Sequence, residues 1–93
     1  MHNYAPYFIV PISSKTLDVN AIYIYKIPPY IDPNQDIVTL TTNLLTAAKY
    51  AHVEENLIFF KFPNEGIFTI EFKLEDENVN SISVSYFLVL LVK

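Results

Sequence analysis

The stretch that most constrains what this chain can fold into lies near its C-terminal end. In residues 81–92, Ile82, Val84 and Tyr86 alternate with Ser81, Ser83 and Ser85, which is the two-residue period of a strand with one wet face. From Phe87 onward the alternation stops, and Phe87, Val89 and Leu91 occupy the side that the serines held. A strand that is apolar on both sides has to be covered on both sides. A chain of 93 residues, 52% hydrophobic and only 17% charged, is ordered but has room for one core only. We therefore read residues 1–93 as one domain.

The rest of the chain is punctuated by Pro and Asn rather than by its single Gly. Tyr7-Phe8-Ile9-Val10, stopped by Pro11, reads as an edge strand, because Pro cannot donate to a central ladder. Residues 12–20 read as a polar connection. Residues 21–27 read as a second strand, with Ile22, Ile24 and Lys26 on one face and Tyr23, Tyr25 and Ile27 on the other.

Asp32-Pro33-Asn34-Gln35 has the chemistry of a helix start: a capping Asp, Pro at the first helical position and a Gln for the capping box. It predicts a helix over residues 33–53. Its apolar stripe is Ile37, Leu40, Thr41, Leu44, Ala48 and Ala51. The opposite face is uncharged from Ile37 to Ala48, which is unusual for a helix in water. That face offers Thr39, Asn43, Thr46 and Tyr50 as a contact surface.

Leu57 to Phe62 and Ile67 to Leu74 read as two strands of a hairpin turned by Pro63-Asn64-Glu65-Gly66, with Gly66 in a left-handed bulge. This register pairs Phe62 with Phe68, Phe60 with Ile70 and Ile58 with Phe72, all on one apolar face. With an acidic turn at residues 75–78, the expected fold is α+β: a two-layer, five-stranded, mainly antiparallel sheet with one helix, in the order β-β-α-β-β-β. One helix cannot cover both faces of such a sheet. Phe59, Phe87, Val89 and Leu91 are thus expected to be covered by a partner.

The composition narrows the chemistry. With no Cys there is no disulfide framework and no thiol nucleophile. His52, followed by Glu54 and Glu55, has no third positioned group, so it reads as a residue at a helix end rather than a base. Glu75-Asp76-Glu77 neither alternates ligands nor contains a turn glycine, so no metal or other cofactor is expected. Ser13-Ser14-Lys15-Thr16 lacks the glycines of a phosphate loop. The net charge is −4 and Arg is absent, which argues against nucleic acid. The longest apolar run, Tyr86 to Val92, is too short for a membrane helix, and Met1-His2-Asn3-Tyr4 does not read as a secretory leader. A cytoplasmic location is the expectation.

The leading functional reading is a non-catalytic protein–protein interaction module. It is expected to be homodimeric through Phe59, Phe87, Val89 and Leu91, or to bind through the Thr39–Asn43–Thr46–Tyr50 face. The acidic residues Glu71, Glu75, Asp76 and Glu77 form a rim suited to a basic groove on another protein. A composition rich in Phe, Tyr, Ile, Asn and Lys suggests an AT-rich genome, and with it a phage- or virus-encoded inhibitor of a host protein. The alternatives are a small enzyme or ligand-binding domain with a pocket lined by Tyr23, Tyr25 and Tyr50, and a structural component of a viral assembly.

Overall fold

A computed structural model describes residues 4–79 and 81–93. Among the described residues, nine strands run in chain order: β1 (Tyr7–Phe8), β2 (Lys15–Leu17), β3 (Ile22–Lys26), β4 (Tyr30–Ile31), β5 (Val38–Asn43), β6 (Ala51–Glu54), β7 (Leu57–Lys61), β8 (Gly66–Asp76) and β9 (Ser83–Val92). A short 3-10 helix (Leu45–Tyr50) is the one helical element among the described residues. The strands form a four-stranded sheet in the order β2-β9-β8-β5, a three-stranded sheet in the order β3-β7-β6, and a two-stranded ribbon of β1 and β4. The molecule is elongated, 49 × 20 × 18 Å.

The two larger sheets face each other across an aromatic core. Tyr25 of β3 stacks on Phe72 of β8 at 6.0 Å between ring centroids, and Phe62, just after β7, stacks on Phe68 of β8 at 4.2 Å. Ile58, Ile70, Phe72, Leu74, Leu88 and Leu90 are fully buried between them. Phe8 of β1 meets Tyr30, Phe72 and Tyr86 edge-on, which ties the ribbon to the same core.

The expected α+β fold with one five-stranded sheet is therefore wrong, and its two main errors have physical causes. The first is the helix over 33–53, which does not form. That stretch contains β5, the 3-10 helix and β6. Val38-Thr39-Leu40-Thr41-Thr42 is dominated by β-branched residues, which lose side-chain freedom in a helix and fit a pleated surface. It also alternates: Val38, Leu40 and Thr42 are half-buried, while Thr39, Thr41 and Asn43 are exposed. The helix-start chemistry is used in a turn instead. Asp32 Oδ1 accepts the Asn34 N–H at 2.7 Å, and the Asp32 carbonyl accepts the Gln35 N–H at 2.9 Å. Asp and Pro serve both purposes, and local sequence does not separate them.

The second error is the hairpin. β7 pairs with β3 and β6, whereas β8 pairs with β5 and β9, so residues 63–65 carry the chain from one sheet to the other. Phe62 and Phe68 do meet, but across the sandwich and not along a ladder. Gly66 has no positive φ and begins β8. Its missing side chain matters for a different reason: a Cβ there would lie 3.2 Å from the Phe68 ring.

Other expectations held or shifted by smaller amounts. β3 shows the predicted faces, with Ile22, Ile24 and Lys26 exposed and Tyr25 buried. Residues 12–20 are not purely a connection, because β2 pairs in parallel with β9, Thr16 opposite Leu91. Residues 75–78 are not a solvated turn throughout: Glu75 and Asp76 end β8, and Asp76 is 1% exposed.

Candidate functional site

The sandwich has two outer faces, and the residues singled out from sequence divide between them. On the β3-β7-β6 sheet, side chains alternate in and out, so Ile22, Ile24 and Lys26 of β3 share the outer face with Leu57, Phe59 and Lys61 of β7 and with His52 and Glu54 of β6. Ile24 sits opposite Phe59, and Phe59 opposite His52, whose ring centroid lies 6.4 Å from it. Ile22 is 73% exposed and Ile24 52% exposed. A shallow depression of about 410 Å³ opens beside them, lined by Ile22, Lys49, Tyr50, His52, Phe59 and Lys61 among others. Lys26, Lys49 and Lys61 are all exposed around this apolar row, while the strands themselves contribute Glu54 as the one carboxylate.

The other outer face, on β2-β9-β8-β5, holds Phe87, Val89 and Leu91. Leu91 lies opposite Ile67, Val89 opposite Thr69, and Phe87 opposite Glu71. Ile67 is 67% exposed and Phe87 52%, so these side chains are not sealed within the subunit. Phe59 is not their neighbour: it lies on the opposite side of the molecule, and the expected single patch is two. Farther along the same sheet the face turns polar. Glu71 accepts hydrogen bonds from Asn43 Nδ2 at 2.9 Å and from Ser85 Oγ at 2.7 Å. These two bonds, with Lys73 nearby, hold the Glu71 carboxyl below its ordinary pKa against a smaller opposing effect of burial.

The remaining sequence candidates are dispersed. Thr39 and Asn43 lie on the outer edge of β5, not on a helix. Thr46 Oγ1 accepts the Thr69 N–H at 2.9 Å, satisfying β8 where β5 has ended. Tyr50 packs edge-on against Phe62 and Phe68. The helix over 33–53 that was to form one wall of a pocket with Tyr23, Tyr25 and Tyr50 does not form, and the three rings pack into or against the core instead. Tyr23 stacks on Phe60 and Tyr25 on Phe72. Burial raises the pKa of both rings, and for Tyr25 the neighbouring Tyr23 adds to it.

The acidic rim also divides. Glu75 and Glu77 are exposed and Glu71 is half-buried. Asp76 is buried, its Oδ1 accepting the Ile82 N–H at 3.0 Å. The register Val38↔Asp76 brings it beside the segment that precedes β5. One carboxylate oxygen each from Asp32, Asp36 and Asp76 lies within 4.8 Å of the other two. Sequence reasoning considered only residues 75–77 for metal and missed this group. A signal was present: Asp32, Asn34 and Asp36 alternate, as oxygen ligands do in calcium loops.

The fold is mostly β, with three sheets of which the two larger pack face to face. It is similar to a solved structure from Saccharophagus degradans, a nucleoside hydrolase-related hypothetical protein associated with carbohydrate metabolism, with a TM-score of 0.76 at 12% identity. The match covers 98% of this chain and 26% of that longer one. At this identity the likeness shows the fold alone. No family model matches the sequence, and no curated protein does. Among the described residues, no helix is long and apolar enough to cross a membrane.

Proposed function

We propose that the chain is a non-catalytic protein-interaction module that docks through the outer face of the β3-β7-β6 sheet. The observation that supports this reading is the apolar row of exposed Ile22 and Ile24 beside half-buried Phe59, flanked by Lys26, Lys49 and Lys61. Apolar groups that gather on one face and are ringed mainly by lysines, three against the single carboxylate of Glu54 on the strands, suit a partner surface. Two copies of this face would bring lysines together, which disfavours self-association here. The partner that fits is a protein presenting apolar side chains rimmed by Asp and Glu. A differential capture experiment tests the reading. The wild type and a Phe87→Ser variant are expected to retain a common partner that Ile24→Lys and Phe59→Glu variants lose, with retention weakening as salt rises. Equal recovery by all four would sink it.

A second reading, homodimerisation, is supported by the opposite face, where Ile67 and Phe87 are exposed beside Val89 and Leu91. Sedimentation at micromolar concentration is expected to show a dimer that Phe87→Ser and Leu91→Ser variants convert to monomer. A compact wild-type monomer would leave the first reading standing and remove this one.

A further inference from the structure

We propose that Asp32, Asp36 and Asp76 form a binding site for a hard divalent cation, calcium by preference. This is independent of the interaction reading above. The three carboxylates come from distant parts of the chain, yet one oxygen of each falls within 4.8 Å of the other two. Three like charges at that separation repel unless something positive lies among them.

A second observation points to the ligand. Asp32 is only 8% exposed, its Oδ1 already accepts the Asn34 N–H, and its Oδ2 is buried with no hydrogen-bond partner. An orphaned buried carboxylate oxygen is costly, and an ion is one way to satisfy it.

The surroundings orient the carboxylates as supporting groups around a metal do. Asn78 Nδ2 donates to Asp36 Oδ2 at 3.0 Å. The Ile82 N–H donates to Asp76 Oδ1, and the Glu77 N–H donates to the Ile37 carbonyl at 2.9 Å. Asp32 and Asp36 also line an open depression of about 570 Å³ together with Tyr30, giving an ion a way in, although the buried Asp76 does not line it.

The donor set is all oxygen, which selects hard cations over zinc or copper. Calcium, bound at about 2.3–2.6 Å per ligand, accepts an irregular cage of carboxylates and water, whereas magnesium at about 2.0–2.1 Å demands near-ideal octahedral geometry. Three carboxylates and water complete the six to eight ligands that calcium takes. Bound there, the ion would tie the segment between β4 and β5 to the end of β8.

The test uses the full chain stripped of metal with a chelator. Calcium is expected to raise the thermal midpoint, and magnesium to raise it less. Terbium is expected to bind with luminescence excited through tyrosine, Tyr30 being the ring beside the site, and calcium is expected to displace it. Asp32→Asn keeps the oxygen that accepts the Asn34 N–H but removes the charge. It should weaken calcium binding by at least about tenfold, while the metal-free variant melts at or above the wild-type temperature. Asp36→Asn should weaken binding similarly. A folded wild type that shows neither a calcium shift nor tyrosine-sensitised terbium emission overturns the proposal. So does a calcium effect that survives both substitutions, since the ion would then bind elsewhere.

Discussion

The two outer faces of the sandwich solve the same problem in different ways. On the β5-β8-β9 side, most outward positions are Thr, Ser, Asn, Glu or Lys, and Glu71 is bonded by residues of both flanking strands. Only the end around Ile67, Phe87, Val89 and Leu91 is apolar. On the β3-β7-β6 side the centre of the face is apolar and the charge is pushed to its rim. A face with a central hydrogen-bonded carboxylate satisfies itself in water. A face with central isoleucines and an aromatic ring gains from being covered. The difference separates a face whose middle is polar and hydrogen-bonded from one whose middle is apolar and exposed.

That contrast can be broken at several depths. The largest expected effect comes from the shared interior: Phe72→Ala removes a fully buried ring that meets both Tyr25 and Phe8, and should cost about 3–5 kcal/mol in urea denaturation. A loss no greater than that of an outer-face change would mean that the two sheets do not share one core.

Next comes the alkaline limb. The pKa values of Tyr23 and Tyr25 are raised by burial, so the folded state holds their protons more tightly than the unfolded chain. Their contribution to stability is intact below the ordinary tyrosine pKa of 10.0 and is lost as pH rises from there through the raised values. Ultraviolet titration is expected to show two late-ionising tyrosines, and a Tyr25→Phe variant one.

On the outside, Ile24→Thr and Phe87→Thr should each change stability by no more than about 0.5 kcal/mol, because neither side chain belongs to the core. A much larger loss for Ile24→Thr would mean that this outer face is held by structural packing and is not free for a partner.

The smallest expected effect belongs to Glu71. Its folded pKa is lowered, so its contribution is present above 4.5 and fades as pH falls through the lowered value. A Glu71→Gln variant should flatten that acid limb, its small loss of stability being felt at neutral pH and vanishing in acid. An unaltered limb would mean that the Asn43 and Ser85 bonds do not favour the charged form.

Reading order along the chain was a good guide to faces and a poor one to neighbours. Ile22, Ile24 and Lys26 were legible as one side of a strand because the two-residue period survives in any sheet. The exposure of Phe87 also follows the break in alternation after Ser85. The helix over 33–53 misleads because Ile37, Leu40, Thr41 and Leu44 keep a helical spacing, while Val38, Leu40 and Thr42 also keep the two-residue period of a strand, and the β-branched character of residues 38–42 decides for the strand. The Asp32–Asp36–Asp76 group lay hidden because it depends on β5 pairing with β8, a contact between segments that local sequence does not connect.

Taken alone, the order of residues determined which side of each strand seeks apolar cover, where prolines stop pairing, and that no cysteine chemistry is available. Which strands became neighbours was decided only in three dimensions. An apolar side chain is satisfied equally by a partner beside it in a ladder or by one across the core, as Phe62 and Phe68 show. Main-chain hydrogen bonds, which distinguish those two arrangements, carry no side-chain signature to be read in advance.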